Sequence, residues 1–318
     1  MVELIAQVII PMAMVIAFGI FIRRKKLAWM IFGVMTIGML LLLVLTLNAE
    51  IGGNPAIAKM GISQTSGAME GKEIRFGPAM SGYWSTVTTI ISAGSVNNMH
   101  DSGMPLTGMW QLLAMMINSF YGGCGVGLLN YFIYLIIAVF ISGLMVGRTP
   151  EFLGHKVEAR EVKIAALITL LSPFLILSGT AIASFVFIHG GGEGWETQPA
   201  NWLNNPGFHG FSEMLYEMTS SNANNGSGFE GLGDNNYFWN ISTGFVMLFG
   251  RFIPIIGPIA IAGLLGAKKY IPESAGTLRT DTLTFSLMTF AVIIVLNALS
   301  YFPALTLGPL AEYLTLYK

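Results

Sequence analysis

Long apolar stretches dominate the chain, and polar segments interrupt them. A helix that spans a bilayer needs about 20 mostly apolar residues. Six stretches reach that length, and their predicted bounds are 2–22, 27–47, 105–146, 164–188, 237–265 and 283–303. The pattern predicts an all-α integral membrane protein with about six spans.

The third stretch is too long to be one straight span. Its 42 residues, 105–146, would extend about 63 Å as a single helix, about twice the hydrocarbon thickness of a bilayer. Glycine weakens helices, and the segment GGCGVG near the middle contains Gly122, Gly123, Gly125 and Gly127. Unpaired backbone at membrane depth is tolerated only where it faces protein or water. Two interpretations stay open: a broken helix beside a pore, or a kink with a helix-packing G-x-x-x-G pair at Gly123 and Gly127.

Composition excludes several classes of function. Only 10% of residues are charged, whereas soluble domains carry about 25%. A net charge of −1 suggests no nucleic-acid partner, and with a single cysteine, Cys124, the chain has no intrachain disulfide. Neither a G-x-x-x-x-G-K-[ST] phosphate loop nor the D-K-T-G motif of pumps that form an aspartyl phosphate occurs. We therefore expect no catalytic residue, no organic cofactor and no ATP site in this chain.

Basic residues sort to two sides of the predicted membrane. Eleven of the 16 fall on one side, and they are Arg23, Arg24, Lys25, Lys26, Arg148, Lys156, Arg160, Lys163, Lys268, Lys269 and Arg279. Four fall on the other side, and they are Lys59, Lys72, Arg75 and Lys318. Lysine and arginine are enriched on the cytoplasmic side. We therefore expect both termini and the loops 48–82 and 189–211 to be extracytoplasmic.

The sixteenth basic residue, Arg251, lies inside the fifth predicted span. A charge at that depth is costly and indicates a functional role by default. A positive charge below a cation site would limit leak or set where an ion stops. The alternative is a structural arginine that pairs with a carboxylate on a missing segment. Further along the same span, Pro254 and Pro258 predict a break or kink.

Two polar loops, SAGSVNNMHD at 92–101 and TSSNANNGSGFE at 219–230, lie between apolar stretches. They align at one offset, because Gly94 and Gly226 are 132 positions apart and a serine follows each. A segment of about three turns precedes each loop, and it is too short to cross a bilayer. Internal repeats guide the interpretation of motifs. The repeat predicts two units, each made of a span, a short re-entrant helix, a polar loop and a second span.

The repeated loops have the chemistry of an ion filter. A short helix entering from outside directs the negative end of its dipole inward, and rings of carbonyl oxygens can replace the hydration shell of potassium. Gly94 and Gly226 supply the backbone freedom that such a lining needs. Few carboxylates are present, which argues against a divalent-cation site. The alternative is two ordinary external turns, since Gly, Asn and Ser dominate turns. Candidate supports behind the lining are Asn97, Asn98, Asn222, Asn224 and Asn225.

Two other features are given modest roles. His100 and Asp101 have too few neighbouring ligands in sequence for a metal site, and we expect Asp101 or Ser102 to cap a helix that begins at Pro105. The segment 147–163 is amphipathic and mixed in charge. It is either a solvated connector or a docking surface for a partner.

Several stretches resemble the KdpA family, the potassium-binding component of the Kdp potassium-importing P-type ATPase. They are MEGKEIRFG at 69–77, NNMHDS at 97–102, GLMVGRTPEFLGHKVEAREVK at 143–163, NPGFHGFSEMLY at 205–216, NNGSGFEGL at 224–232 and LGPLAEYL at 307–314. The resemblance extends along essentially the whole chain. It implies the fold of potassium transporters built from four repeats of span, pore loop and span around one filter.

The resemblance also implies a function and a set of site residues. The chain would bind external potassium and pass it through an intramembrane tunnel to KdpB, the ATP-hydrolysing P-type component, with KdpC and KdpF completing the complex. The implied potassium ligands form two groups, which are Ser92, Ala93, Gly94 and Ser95, and Asn224, Asn225, Gly226 and Ser227. The glycine-rich segment 122–127 and Arg251 match an interrupted span and a one-sided arginine below the filter. The implied location is the plasma (inner) membrane of a bacterium or archaeon.

The chain departs from that family because only two of four filter segments are present. The expected domains are an outer span of the preceding repeat at 1–26, a third repeat with a cytoplasmic connector at 27–163, a fourth repeat at 164–280 and an extra C-terminal span at 281–318. The missing N-terminal half of KdpA is therefore an expected partner, besides membrane lipid. A fragment, a split-gene product, a frameshift remnant and a dimer that supplies four filter segments all stay open. Functional alternatives are a channel-like or symporter-like potassium transporter without an ATPase partner, and an inactive fragment.

Overall fold

The computed structural model describes residues 2–147, 149–190, 199–272 and 279–317. These residues are mostly helical, with one short antiparallel hairpin of β1 (Glu151–Phe152) and β2 (His155–Lys156). The α-helices in chain order are α1 (Val2–Phe21), α2 (Lys25–Ile51), α3 (Pro55–Lys59), α4 (Gly77–Ile91), α5 (Pro105–Ile117), α6 (Val126–Val146), α7 (Ala159–His189), α8 (Phe208–Ala223), α9 (Tyr237–Gly266), α10 (Leu283–Leu305) and α11 (Ala311–Thr315). Short 3-10 turns lie at Gly123–Gly125 and Pro199–Asn201, and a π-helical turn at Thr306–Leu310 joins α10 to α11.

Within these ranges, six helical stretches are long and apolar enough to cross a membrane. They are Val2–Phe21, Lys25–Lys59, Val126–Met145, Ala159–His189, Tyr237–Gly266 and Leu283–Thr315. Many of their large apolar side chains are exposed, as expected for surfaces that face lipid, and examples are Phe174, Phe185 and Phe252. The prediction of an all-α, multi-pass membrane protein is confirmed.

The predicted interruption of the third apolar stretch is confirmed, but it begins earlier than the glycines. Helix α5 ends at Ile117, and Asn118 adopts a left-handed conformation with φ of 39°. Its N–H donates to the carbonyl of Ala114 at 3.1 Å, which closes the last turn and releases the chain from the helix. The chain re-enters an α-helix only at Val126, after the 3-10 turn at Gly123–Gly125. The stretch is thus broken rather than kinked.

Two of the glycines pack against each other inside this break. The N–H of Gly127 donates to the carbonyl of Gly122 at 2.6 Å. A Cβ on Gly127 would lie 2.1 Å from the backbone nitrogen of Gly122. These glycines therefore close a compact turn of the broken segment.

The helix boundaries follow the offset of 132 residues found in the sequence. The last residues of α4 and α8 are Ile91 and Ala223, and the helices that follow them, α5 and α9, begin at Pro105 and Tyr237. Both intervals equal 132 positions. The repeat is therefore structural, whereas the domain limits at 26, 163 and 280 stay predictions.

The two repeats differ below the polar loops. Helix α5 stops after 13 residues, whereas α9 continues for 30 residues through Pro254 and Pro258. The α-helix continues through both prolines, so they do not break the span, and a kink at them stays a prediction.

The two short helices lie among the long ones. Helix α4 packs against α2 and α5, and α8 packs against α7 and α9. A buried cluster that includes Leu112, Met115, Leu215 and Phe229 joins α5 to α8 and to the segment after it. The short helices are thereby fixed with their C-terminal ends beside the polar loops.

The segment after α6 is folded onto the end of α9. The side chains of Phe152 and Val157 are buried, and Gly154 accepts a backbone hydrogen bond from Ile271 at 2.8 Å. The ammonium group of Lys268 contacts carboxylate oxygens of Glu158 and Glu161 at 3.1 and 2.9 Å. The connector is therefore a packed hairpin, and its role as a docking surface stays a prediction.

Candidate ion-binding site

Each short helix ends in the same way. Ser92 after α4 and Asn224 after α8 are both left-handed, with φ of 54° and 52°. Such a residue ends a helix by satisfying its last carbonyls. The chain then continues as the first polar segment (residues 92–95) and the second polar segment (residues 224–227).

The repeat extends to the hydrogen bond that follows each helix end. Ala93 donates its N–H to the carbonyl of Thr88 at 3.0 Å, and Asn225 donates its N–H to the carbonyl of Ser220 at 2.9 Å. Both pairs are related by the offset of 132. The two polar segments therefore leave their helices in matching geometry.

The polar segments meet backbone to backbone at Gly94 and Gly226. Both glycines have positive φ, at 74° and 101°. A Cβ on Gly94 would lie 2.2 Å from the carbonyl oxygen of Asn225 and 3.1 Å from the Cα of Gly226. Position 94 therefore requires glycine both for its conformation and for this close approach.

Asn225 supports the second polar segment from behind. Its amide nitrogen donates to the carbonyl of Thr88 at 2.7 Å, which ties the segment to the end of α4. Its amide oxygen accepts from the N–H and the hydroxyl of Ser227 at 2.9 and 2.6 Å. Ser220 adds a hydroxyl that accepts from the N–H of Gly226 at 3.1 Å. These hydrogen bonds fix the turn of the second polar segment at Gly226.

Three neighbours hold the first polar segment. The indole N–H of Trp84 donates to the carbonyl of Ser95 at 2.9 Å, and the amide of Gln7 on α1 donates to the Ser95 hydroxyl at 2.6 Å. The hydroxyl of Ser92 donates to the side-chain oxygen of Asn118, where the break begins, at 3.2 Å. Sequence reasoning did not identify Trp84 or Gln7. The repeat offset, which pairs Trp84 with Tyr216, was a usable signal for Trp84.

The other asparagines have separate surroundings. Asn224 donates its amide to the carbonyl of Met247 on α9 at 3.2 Å. A Cβ on Gly250 would lie 2.5 Å from the carbonyl oxygen of Asn222, so α9 approaches the end of α8 closely. Asn98 pairs with Lys72 in an isolated antiparallel bridge, which ties the loop after the first polar segment to the segment before α4.

Arg251 lies beside the broken segment. A Cβ on Gly123, which has φ of 43°, would lie 2.9 Å from Nη1 of Arg251, and a Cβ on Gly125 would lie 2.8 Å from the methyl carbon of Met14 on α1. The break and the intramembrane charge, predicted separately, are therefore neighbours. Through Asn118 the same break contacts the first polar segment.

A charged cluster joins the loop after the first polar segment to α8 and α11. The ring nitrogens of His209 lie 2.8 Å from Asp101 Oδ1 and 2.9 Å from Glu312 Oε1. Burial would lower the pKa of His209, but these two carboxylates outweigh it and raise the pKa to about 10. At neutral pH the ring therefore carries a proton on each nitrogen and donates to both carboxylates. Asp101 and Glu213 offer oxygens close to the same ring, and their attraction to the protonated His209 accounts for this grouping of side chains.

The prediction that Asp101 or Ser102 caps α5 is wrong. The N-cap residue is Met104, without a side-chain cap, and its N–H donates to Glu50 Oε1 at 2.9 Å. Pro105 occupies the first turn as expected. The carboxylate of Asp101 is instead bound by His209, and the start of α5 is held by the distant carboxylate of Glu50.

The fold and the site together define a class of membrane protein in which two units of span, short helix, polar loop and span bring paired glycines together. The chain belongs to the KdpA family, the potassium-transporting ATPase A subunit, whose family model matches residues 1–314. This finding confirms the resemblance inferred from the sequence.

Curated relatives agree with the family model. The chain is 70% identical over 317 residues to the potassium-transporting ATPase potassium-binding subunit of Flavobacterium johnsoniae. It is 60% identical over 316 residues to that of Phocaeicola vulgatus and 48% identical over 315 residues to that of Geobacillus kaustophilus. Each alignment covers 99% of this chain but only 55%, 55% and 54% of the relative. The chain thus spans about half the length of the curated relatives it matches.

Proposed function

We propose that this chain forms half of a potassium filter in an ATP-driven potassium importer. The observation that carries the proposal is the backbone approach of Gly94 and Gly226 at the ends of two equivalent short helices. The C-terminal ends of α4 and α8 direct partial negative charge toward the polar segments. Carbonyl oxygens of residues 92–95 and 224–227 would replace water around a dehydrated potassium ion. No covalent step is involved.

Partners of this chain follow from the family and its relatives. The relatives are named as potassium-binding subunits of an ATPase and are almost twice as long as this chain. We infer that a preceding polypeptide segment supplies the other filter segments and that KdpB hydrolyses ATP, with KdpC and KdpF in the complex. The matching helix boundaries support a division into two repeats at 27–163 and 164–280. The outer span of the preceding repeat, 1–26, comes before them, and an extra C-terminal span, 281–318, follows.

The membrane and the orientation are also proposed. The family supports the inner membrane of a bacterium or archaeon, with both termini extracytoplasmic. The lysine and arginine excess after α1, around the hairpin and after α9 supports that orientation. Two residues used in that comparison, Arg148 and Lys318, lie outside the described residues.

Growth of a potassium-uptake-deficient bacterium tests the proposal. The chain is expressed alone, with the N-terminal half of a relative, and with that half plus KdpB, KdpC and KdpF. We expect growth at low potassium only in the third strain, because a complete filter and an ATP-driven partner are both required. Growth with the two halves alone would favour a channel-like or symporter-like transporter, and lack of growth in all three strains would contradict an active filter.

Arg251→Ala is expected to raise passive rubidium leak through the assembled complex severalfold while leaving its yield unchanged. The positive charge near the middle of α9, beside Gly123, would otherwise repel a cation that passes the filter. Leak is measured as rubidium efflux from vesicles without ATP. Arg279→Ala is the matched control, since the Arg279 side chain is 65% exposed and pairs with Asp281. Loss of the complex from the membrane would instead indicate a structural arginine.

A further inference from the structure

A continuous line of hydrogen bonds connects the loop after the first polar segment to the second polar segment. His100 Nδ1 lies 2.9 Å from the hydroxyl of Tyr216, and that hydroxyl lies 2.9 Å from Oγ of Ser227. Ser227 Oγ in turn lies 2.6 Å from Oδ1 of Asn225. All four residues are buried, with at most 6% of their surface exposed. These hydrogen bonds are therefore shielded from water.

The chemistry of the groups gives the line one direction. Asn225 donates its amide nitrogen to the carbonyl of Thr88, so its amide oxygen faces Ser227 and can only accept. The Ser227 hydroxyl must donate to that oxygen, and it therefore accepts from Tyr216. The Tyr216 hydroxyl accordingly accepts from His100, whose proton must be on Nδ1.

The environment of His100 is consistent with this neutral tautomer. Burial and the nearby charge of Lys72 lower the pKa of His100 to about 4. The backbone around it is held by Glu230, whose two carboxylate oxygens accept from the N–H groups of His100 and Asp101 at 3.2 and 3.0 Å. His100 is thus a fixed donor at neutral pH.

The other repeat contains an equivalent contact. Tyr216 and Trp84 are 132 positions apart, as are Ser227 and Ser95. Trp84 donates its indole N–H to the carbonyl of Ser95 at 2.9 Å. In each repeat, an aromatic side chain with a polar group therefore binds the serine that follows the paired glycine.

We propose that Tyr216 and Trp84 are positioning residues that set the ion selectivity of the filter, with His100 acting through Tyr216. The inference rests on the proposed function. Neither aromatic residue belongs to the proposed potassium ligands. Each fixes the serine beyond the glycine, so that the glycine carbonyls keep the separation that suits potassium.

Tyr216→Phe tests the hydroxyl by itself. The ring stacks on Phe229 with centroids 4.3 Å apart, and phenylalanine preserves that contact. The change leaves Nδ1–H of His100 without its partner and removes the hydrogen bond that the Ser227 hydroxyl accepts, so that Ser227 is held only by its bonds to Asn225. We expect the potassium concentration for half-maximal uptake by the complete complex to rise about tenfold. The preference for potassium over rubidium is expected to fall, with the maximal rate unchanged.

Three further variants separate positioning from general stability. Tyr301→Phe is the matched control, because Tyr301 is 1% exposed and lies outside the polar segments. His100→Leu removes the donor and is expected to reproduce Tyr216→Phe. His100→Asn is expected to restore most of the affinity, since its amide can donate from nearly the same place as Nδ1.

The measurements distinguish failure of this inference from failure of the proposed function. A wild-type complex whose uptake does not depend on potassium would contradict the proposed function. A potassium-dependent wild type with unchanged affinity and selectivity in both Tyr216→Phe and Trp84→Phe would overturn the positioning role. If Tyr216→Phe lowers the recovered complex, Trp84→Phe decides: relaxed selectivity supports the inference, and wild-type selectivity overturns it.

Discussion

Gly94→Val is expected to weaken potassium binding by about 100-fold or more, whereas Gly61→Val is expected to leave it unchanged. The two glycines have nearly the same conformation, with φ of 74° and 77°. Left-handed backbone costs a residue with a Cβ about 1–2 kcal/mol, and this cost is common to both changes. A Cβ on Gly94 would collide with the carbonyl oxygen of Asn225 at 2.2 Å, whereas no atom of the described residues lies within 4 Å of a Cβ on Gly61. Comparing the two variants therefore measures the effect of the collision between the polar segments, separately from the effect of backbone strain.

Overpacking costs about 1–3 kcal/mol, so strain and collision together predict a loss of affinity of about 100-fold or more for Gly94→Val. Thallium or rubidium binding to the purified complex measures it. Gly226→Ala is expected to be milder, because a Cβ there would lie 4.0 Å from the Cα of Gly94 and adds mainly strain at φ of 101°. Wild-type affinity after Gly94→Val would contradict the assignment of the filter.

The long helices were predictable because their apolar length is a property of local sequence. The position of the paired glycines was predictable for another reason, since the offset between Gly94 and Gly226 marks a repeat. The start of the break was not predictable. Asn118 adopts a left-handed conformation in the structure, but nothing in the sequence near it distinguishes it from a helical asparagine. The conspicuous glycines follow it.

Contacts between distant segments account for most of what sequence reasoning missed. Asp101 fits the local pattern of a helix cap, but the protonated ring of His209 binds its carboxylate from 108 residues away. Gln7 on α1 reaches Ser95 across 88 positions. No periodicity or spacing encodes such pairings. These pairings follow from the way the helices pack. The sequence predicts that the helices exist, but it does not predict how they are placed against one another.

Lys72→Met is expected to destabilise the protein strongly, because it leaves Glu50 charged and buried. The ammonium group of Lys72 lies 2.8 Å from Glu50 Oε2, and each side chain is 1% exposed. The other oxygen of Glu50 accepts from the N–H of Met104 at the start of α5. Removing one partner of a buried ion pair costs about 3–5 kcal/mol. Thermal unfolding of the purified complex in detergent measures the loss.

Arg75→Met is the matched control in the same loop. Arg75 pairs with Glu73 at 3.1 Å, but these side chains are 81% and 46% exposed, and exposed pairs contribute at most about 1 kcal/mol. The double variant Lys72→Met, Glu50→Gln is expected to recover part of the stability, since no lone charge stays buried. Equal loss in Lys72→Met and Arg75→Met would contradict the role of burial.

This ion pair is also expected to affect potassium binding, because it anchors the loop that follows the first polar segment. The ion pair holds the backbone of residues 71 and 72, where the Gly71 carbonyl accepts a hydrogen bond from the N–H of Met99 at 2.9 Å and Lys72 forms a backbone bridge with Asn98. The next residue along that loop, His100, begins the hydrogen bonds that reach Ser227. Loss of Lys72 would therefore loosen the second polar segment as well. We expect Lys72→Met to weaken potassium affinity, Arg75→Met to leave it unchanged, and the double variant to restore affinity together with stability.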